Sequence, residues 1–299
     1  MPRLKANFEA DAIACLRSHL VNVQGWSRAE VAALDDRDVR FHYFDARRRR
    51  IVSRPRTIKV ADDFLCPPTS ESGWNMLQHK VQNGADINPH LSRGHASLLY
   101  PDGLLAEWSV HHFHLGVVPD PKDPAYIERT GPLLYAFVTD NAFCAINIYG
   151  HKSFENSLVL ESIHRNWPDM ISRYRAVGVT GGTWSQAQRR ALRSKNANVF
   201  VATADGTVYG PIGGGVMASG VNAEAVRIAD AWLFEIRNLQ IGFEKELNGL
   251  LPTLRRQGYA GEDELEAELR ISDGGIQVFF TKYHILANVT IVKSVESNT

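Results

Sequence analysis

Two apolar, β-rich runs separated by a two-residue turn constrain the fold of this chain more than any other feature. The first run is Leu133–Thr139 and the second is Ala142–Tyr149. Asp140 and Asn141 stand between them, and both residue types tolerate the positive φ angles of a tight turn. The pattern therefore predicts an antiparallel β-hairpin.

Other periodic segments predict helices and strands on both sides of this hairpin. Apolar spacing, capping residues and terminal glycines predict helices at 7–21, 28–34, 74–83, 102–108, 154–165, 186–195 and 223–247. Strands are expected at 40–44, 51–60, 109–117, 264–272 and 276–292, with a second hairpin at 198–209. The fold class is therefore α+β, with mixed sheets, antiparallel hairpins and one long helix in the C-terminal half.

A chain of 299 residues is long enough for two domains of ordinary size. The glycine-rich stretch 176–182 is a natural joint between them. We therefore expect an N-terminal α+β domain at 1–177, which carries the histidine cluster, and a C-terminal α+β domain at 178–299.

Charge and cysteine content narrow the class of protein. Lys and Arg total 33, as do Asp and Glu, so the formal net charge is zero and bulk attraction to nucleic acid is not expected. Three scattered cysteines with no CxxC pair fit a reducing compartment. The sequence shows neither a signal peptide nor an apolar run of about 20 residues. We expect a soluble, cytoplasmic protein with no membrane partner; its oligomeric state is open.

A cluster of histidines stands at His111, His112 and His114, within a segment expected to be a strand. Side chains alternate along a strand, so His112 and His114 should share a face, about 6–7 Å apart, while His111 faces a core. Paired imidazoles suit acid–base work because their ordinary pKa lies near neutral pH.

His151 and Lys152 follow the second strand of the hairpin and are the natural partners of His112 and His114. In one hypothesis His112 and His114 act as acid and base, and His151 or Lys152 stabilises phosphate charge. In another, His112, His114 and His151 bind a divalent metal. The hypothesis without a metal or other cofactor is favoured, and a divalent metal is the alternative.

Four consecutive arginines, Arg47, Arg48, Arg49 and Arg50, form the densest positive run. At the tip of a hairpin between the strands expected at 40–44 and 51–60, they could bind phosphates through paired contacts. A solvated turn that protects an edge strand is the alternative. The basic helix at 186–195 is a second positive patch, for which a solvated face is favoured. The glycine-rich stretch 210–220 matches no nucleotide-binding motif and is better explained as a turn.

The stretch LLYAFVTDNAFCAINIYGHK, residues 133–152, resembles the central hairpin of RelE-type bacterial toxins. That resemblance implies a small α+β ribonuclease that cleaves messenger RNA without a metal. The wider pattern over residues 102–168 resembles uncharacterised bacterial proteins of the mobile-element or defence type.

Together these features favour a nuclease-like enzyme of the toxin or phage-defence type, acting on RNA more readily than DNA, with a possible protein partner. Its catalytic residues would be His112, His114, His151 and Lys152. The alternatives are a non-enzymatic binding or antitoxin-like module with structural histidines, and a histidine-ligated metalloenzyme. The distance from His112 and His114 to His151 would distinguish these hypotheses.

Overall fold

The structure, a computed structural model, describes residues 2–150, 158–182, 184–272 and 275–289. Its helices and small mixed or antiparallel sheets confirm the α+β class. The chain forms two compact units. The first combines the chain up to Tyr43 with the chain from Arg227 onward, and the second is Phe44–Val226.

Strands and helices are numbered along the chain. The strands are β1 (Arg3–Lys5), β2 (Thr57–Val60), β3 (Val110–His114), β4 (Leu133–Val138), β5 (Ala142–Tyr149), β6 (Arg175–Ala176), β7 (Val201–Ala202), β8 (Val208–Tyr209), β9 (Glu264–Glu266), β10 (Glu268–Ser272), β11 (Gly275–Phe280) and β12 (Ile285–Val289). The α-helices are α1 (Phe8–Asn22), α2 (Arg28–Ala32), α3 (Asp36–Arg49), α4 (Glu71–Gln82), α5 (Gly103–Trp108), α6 (Leu158–Asn166), α7 (Pro168–Ile171), α8 (Gln186–Arg193) and α9 (Ala223–Arg256).

A four-stranded mixed sheet in the order β2-β5-β4-β3 organises the second unit. β4 and β5 form the predicted antiparallel hairpin, in which the Thr139 amide donates to the Ala142 carbonyl at 2.9 Å. β3 pairs antiparallel with β4, and β2 pairs in parallel with β5. The histidine-bearing strand β3 is therefore at an edge of this sheet.

Apolar side chains cover both faces of the sheet, as strand alternation requires. Val110 on one face belongs to a core that includes Ile163 of α6. Phe113 and Phe143 on the other face pack in a core with Leu77 of α4. All five residues of β3 are therefore buried, whereas β2, at the opposite edge of the sheet, is mostly exposed.

The strand and arginine-bearing hairpin predicted at 40–50 are wrong, because this segment is the helix α3. The Asp35 carboxylate accepts from the Asp38 amide at 2.7 Å and caps the helix. The buried residues Val39, Tyr43 and Ala46 follow at helical spacing. Of the predicted return strand at 51–60, only β2 is a strand.

The contacts divide the chain differently from the expected boundary near residue 178, which lies inside the second unit. Ala176 of β6 pairs with Val208 of β8, so segments on both sides of that boundary share one sheet. In the first unit, β1 pairs in parallel with β9 and joins the two chain segments of that unit. Pairing between segments far apart in sequence produces this division.

The first unit packs α1 and α9 against its strands. Phe8, Leu254 and Phe280 are fully buried in one core. α9 continues to Arg256, beyond the end expected near residue 247, and Leu254 extends its buried stripe. None of the helices in the described ranges combines the length and apolar composition that crossing a membrane requires.

Candidate functional site

The three histidines of β3 lie inside the fold. His111 and His112 are each 6% exposed and His114 is 2% exposed. Val110 and Phe113 belong to different cores, which agrees with the predicted alternation of faces. All three rings are therefore largely shielded from solvent.

His114 makes one hydrogen bond through its ring and another through its backbone carbonyl. Its Nδ1 accepts from the Thr130 amide at 3.1 Å, and its carbonyl accepts from Nδ1 of His90 at 2.8 Å. The first contact selects the tautomer of the neutral ring that has its proton on Nε2. His114 thus anchors the loop that returns the chain from the proline-rich segment to β4.

A buried pair that the sequence analysis did not identify, His95 and Asp102, lies near the histidine strand. His95 is on a 3₁₀ turn, Arg93–Ala96, and Asp102 caps α5 by accepting from the Leu105 amide at 3.0 Å. Nε2 of His95 donates to the second carboxylate oxygen of Asp102 at 2.9 Å. Nδ1 of His95 is buried without a hydrogen-bond partner in the part of the chain that the structure describes. The His95 side chain is 8% exposed and the Asp102 side chain is 4% exposed, so both are largely shielded from solvent.

Asp102 is held ionised by its neighbours. Burial raises the pKa of this carboxyl, but the hydrogen bond from His95 and the charges of His95 and His112 outweigh burial and bring the pKa below its usual value. The result is a buried carboxylate that orients one histidine by contact and acts on a second through its charge.

His111 is held neutral. Burial is the largest cause that lowers its pKa to about 3, with Asp102 opposing that shift and His95, His112 and Arg48 adding to it. Its Nδ1 has no hydrogen-bond partner among the residues described. His111 therefore contributes an uncharged ring to the group of side chains around Asp102.

The structure distributes the four arginines between internal contacts and the surface. Arg49 is 1% exposed and donates to the carbonyls of Ser97 at 2.9 Å and Leu98 at 2.7 Å. Arg48 donates to the Gly213 carbonyl at 2.9 Å. Arg47 and Arg50 are exposed. Because the run ends a helix and is not a turn, only part of it faces solvent.

His151 and Lys152 lie outside the described residues, so their predicted roles and their distance to His112 and His114 stay predictions. Within the described ranges, no group of three or more His, Cys, Asp or Glu side chains is placed to hold a metal ion.

A second histidine–aspartate contact has a different character. His164 of α6 binds the Tyr209 hydroxyl at 2.9 Å through Nδ1 and Asp205 at 3.0 Å through Nε2. Both ring nitrogens are occupied, and the contacts attach the β7–β8 hairpin to α6. This arrangement holds the fold together and leaves no ring nitrogen for a substrate.

The sequence contains only a weak signal for the His95–Asp102 pair. Asp102 is recognisable as a helix cap because it precedes a short apolar helix. His95 stands in an irregular segment with no periodicity, and its contact with Asp102 depends on how the intervening loop folds. A search for histidines close to a capping aspartate would have included this pair.

Comparison of the chain with protein-family models, with curated proteins and with solved structures finds no match. The geometry of the site is therefore the main basis for proposing a function.

Proposed function

We propose that the second unit is a nuclease-like enzyme that cleaves RNA by acid–base chemistry at the His95–Asp102 pair. The observation that carries the proposal is the bond from Nε2 of His95 to the buried carboxylate, with Nδ1 unpartnered among the described residues. A carboxylate at Nε2 leaves the lone pair of the neutral ring on Nδ1 and stabilises the imidazolium that forms. His95 then removes the proton of the attacking 2′-hydroxyl.

His112 is the second histidine in this proposal, as the sequence analysis expected, and His95 takes the place expected for His114. The charge of His112 acts on Asp102, which puts both rings in the field of one carboxylate. Protonated His112 donates to the 5′-oxygen that leaves as the 2′-oxygen attacks phosphorus. The proton lost by the nucleophile and the proton gained by the leaving group are thus both accounted for.

Charge around the site favours an anionic substrate. Arg49 interacts electrostatically with Asp102, and Arg48 interacts with His111. Asp45 forms an ion pair with Arg49 at 3.1 Å and offsets part of this charge. With one histidine protonated, the two arginines and that ring exceed the Asp45 and Asp102 carboxylates by one positive charge, which suits a phosphodiester. The resemblance of the β4–β5 hairpin to RelE-type toxins supports RNA over DNA.

One observation favours a second candidate, a non-enzymatic binding or antitoxin-like module with structural histidines. His90, His95, His111, His112 and His114 are each less than a tenth exposed. Buried histidines that bind backbone groups, as His90 and His114 do, are typical of structural roles.

Cleavage of labelled RNA and DNA oligonucleotides by the full chain, in EDTA and in Mg²⁺, tests the proposal. We expect RNA cleavage to 2′,3′-cyclic phosphate ends in both solutions, and a rate about 100-fold lower in His95→Gln. His79→Gln, at an exposed histidine of α4, is the matched control and should keep the wild-type rate.

Each other outcome has a defined meaning. Wild-type cleavage in His95→Gln rejects this site, and cleavage only in Mg²⁺ supports the metalloenzyme. Absence of cleavage by correctly folded wild type rejects the nuclease and supports the binding module.

A further inference from the structure

A cleft in the second unit lies apart from the histidines, between α5, α8 and the glycine-rich segment that precedes α9. It has a volume of about 400 Å³, including space open to solvent. Its polar lining includes Glu107, Arg189, Arg193 and Asn198. Small and apolar side chains form most of the remaining wall: Ala106, Leu192, Ala197, Val199, Pro211 and Val216.

Arg189 is the unusual residue of this cleft. Its side chain is 3% exposed, and its Nε and one terminal nitrogen, Nη1, are buried without a hydrogen-bond partner in the described residues. The Trp108 ring lies 5.6 Å from its guanidinium carbon, and Glu107 lies 3.9 Å from Nη1, beyond hydrogen-bond range. Guanidinium donors buried in this way normally meet an acceptor.

The charges that line the cleft do not cancel. Arg189 and Arg193 are positive and Glu107 is negative, which leaves one positive charge in excess. Glu107 already forms an ion pair with Arg193. The excess charge is therefore associated with Arg189, the arginine whose donors are not all used.

The glycine-rich segment beside the cleft is not a phosphate cradle. The amide of Gly213 donates to the Glu107 carbonyl at 3.3 Å, that of Gly214 to Pro211 at 3.0 Å, and that of Gly215 to Ala106 at 2.9 Å. A Cβ on Gly213 would lie 1.8 Å from the Leu105 carbonyl oxygen, so this glycine permits close packing. Because these amides already donate to carbonyls within the protein, they cannot also bind a polyphosphate.

We propose that this cleft binds a small organic monoanion, a carboxylate carried on an apolar body the size of a benzene ring or a short alkyl chain. The carboxylate accepts from the unused donors of Arg189, and the apolar body contacts Leu192, Val199 and Val216. A planar carboxylate matches a guanidinium through paired hydrogen bonds. The apolar wall with few polar groups is typical of small-molecule sites.

Titration of the full chain with benzoate, followed by calorimetry and by the melting temperature, tests this site. We expect benzoate to bind and raise the melting temperature, and benzamide, which has the same shape without charge, to bind at least tenfold more weakly. Arg189→Met should abolish benzoate binding. Arg190→Met, at the exposed neighbour on the same helix, should leave it unchanged.

A second variant keeps the test decisive if Arg189→Met does not fold. Ala197→Phe fills the cleft from its rim and should prevent benzoate binding while the melting temperature without ligand is retained. Equal binding of benzoate and benzamide, benzoate binding retained in Ala197→Phe, tighter binding of inorganic phosphate, or no binding by the wild type would each overturn the proposal. RNA cleavage is not part of this test, so the two proposals can fail separately.

Discussion

His90 is fully buried, with Nδ1 donating to the His114 carbonyl and Nε2 3.0 Å from the Lys80 amine. Burial is the main cause that lowers the pKa of His90 from 6.5 to about 4, and Lys80 adds to it. A histidine whose pKa is lowered by folding is protonated first in the unfolded chain. Its contribution to stability is therefore complete above pH 6.5 and is lost as the pH falls towards 4.

The free energy of unfolding of the second unit should fall by about 2 kcal/mol between about pH 7.5 and about pH 5 through His90 alone. His90→Asn keeps a donor for the His114 carbonyl and removes the titrating ring, so its decrease should be smaller by that amount. Urea unfolding at both pH values measures the difference. The same decrease in wild type and variant would contradict the role of His90.

Local side-chain caps begin several of the helices, and the sequence predicts them because a cap involves residues three positions apart. Three predicted caps accept a backbone amide: Ser27, Ser185 and Asn222. Asp102, which was expected inside its helix, is a fourth cap. The segment at 40–44 was mistaken for a strand because Phe41, Tyr43 and Phe44 favour strands locally. The cap at Asp35 and the buried helical stripe outweigh that preference.

The capping box of α8 should make a measurable contribution to the free energy of unfolding. Ser185 accepts from the Gln188 amide at 3.2 Å, and the Gln188 side chain accepts from the Ser185 amide at 2.9 Å. Ser185→Ala should lower the free energy of unfolding by about 1 kcal/mol. Ser72→Ala, at an exposed position of α4, should change it by less than about 0.5 kcal/mol. Equal effects of the two changes in urea unfolding would show that the capping box does not stabilise α8.

The whole molecule divides in a way that composition does not indicate. A glycine-rich stretch suggested a joint near residue 178, yet strand pairing keeps that stretch within one unit. The first unit depends on pairing between β1 and β9, more than 250 residues apart. Likewise the His95–Asp102 contact exists only after the loop between them has folded. Local pattern predicts elements, whereas strand pairing between distant segments sets the units and the conformation of a loop sets the site.

Each unit has a core of its own, so a core substitution should destabilise mainly the unit that contains it. Phe143 is fully buried in the second unit, and Phe280 in the first. Phe143→Ala should destabilise by about 3–5 kcal/mol and reduce amide protection mainly in β3–β5. Phe280→Ala should reduce protection mainly in β10–β12. Hydrogen exchange measures both variants, and the same pattern of lost protection in the two would contradict separate cores.

We propose that the Asp102 carboxylate orients His95 for proton transfer, and this role is the centre of the proposed function. Its most direct test compares the initial rate of RNA cleavage by wild type and Asp102→Asn at equal folded fraction. Asp140→Asn, at an aspartate whose side chain is 78% exposed, serves as the control. We predict a rate about 100-fold lower in Asp102→Asn and an unchanged rate in Asp140→Asn. RNA cleavage at the wild-type rate by folded Asp102→Asn would contradict the claim.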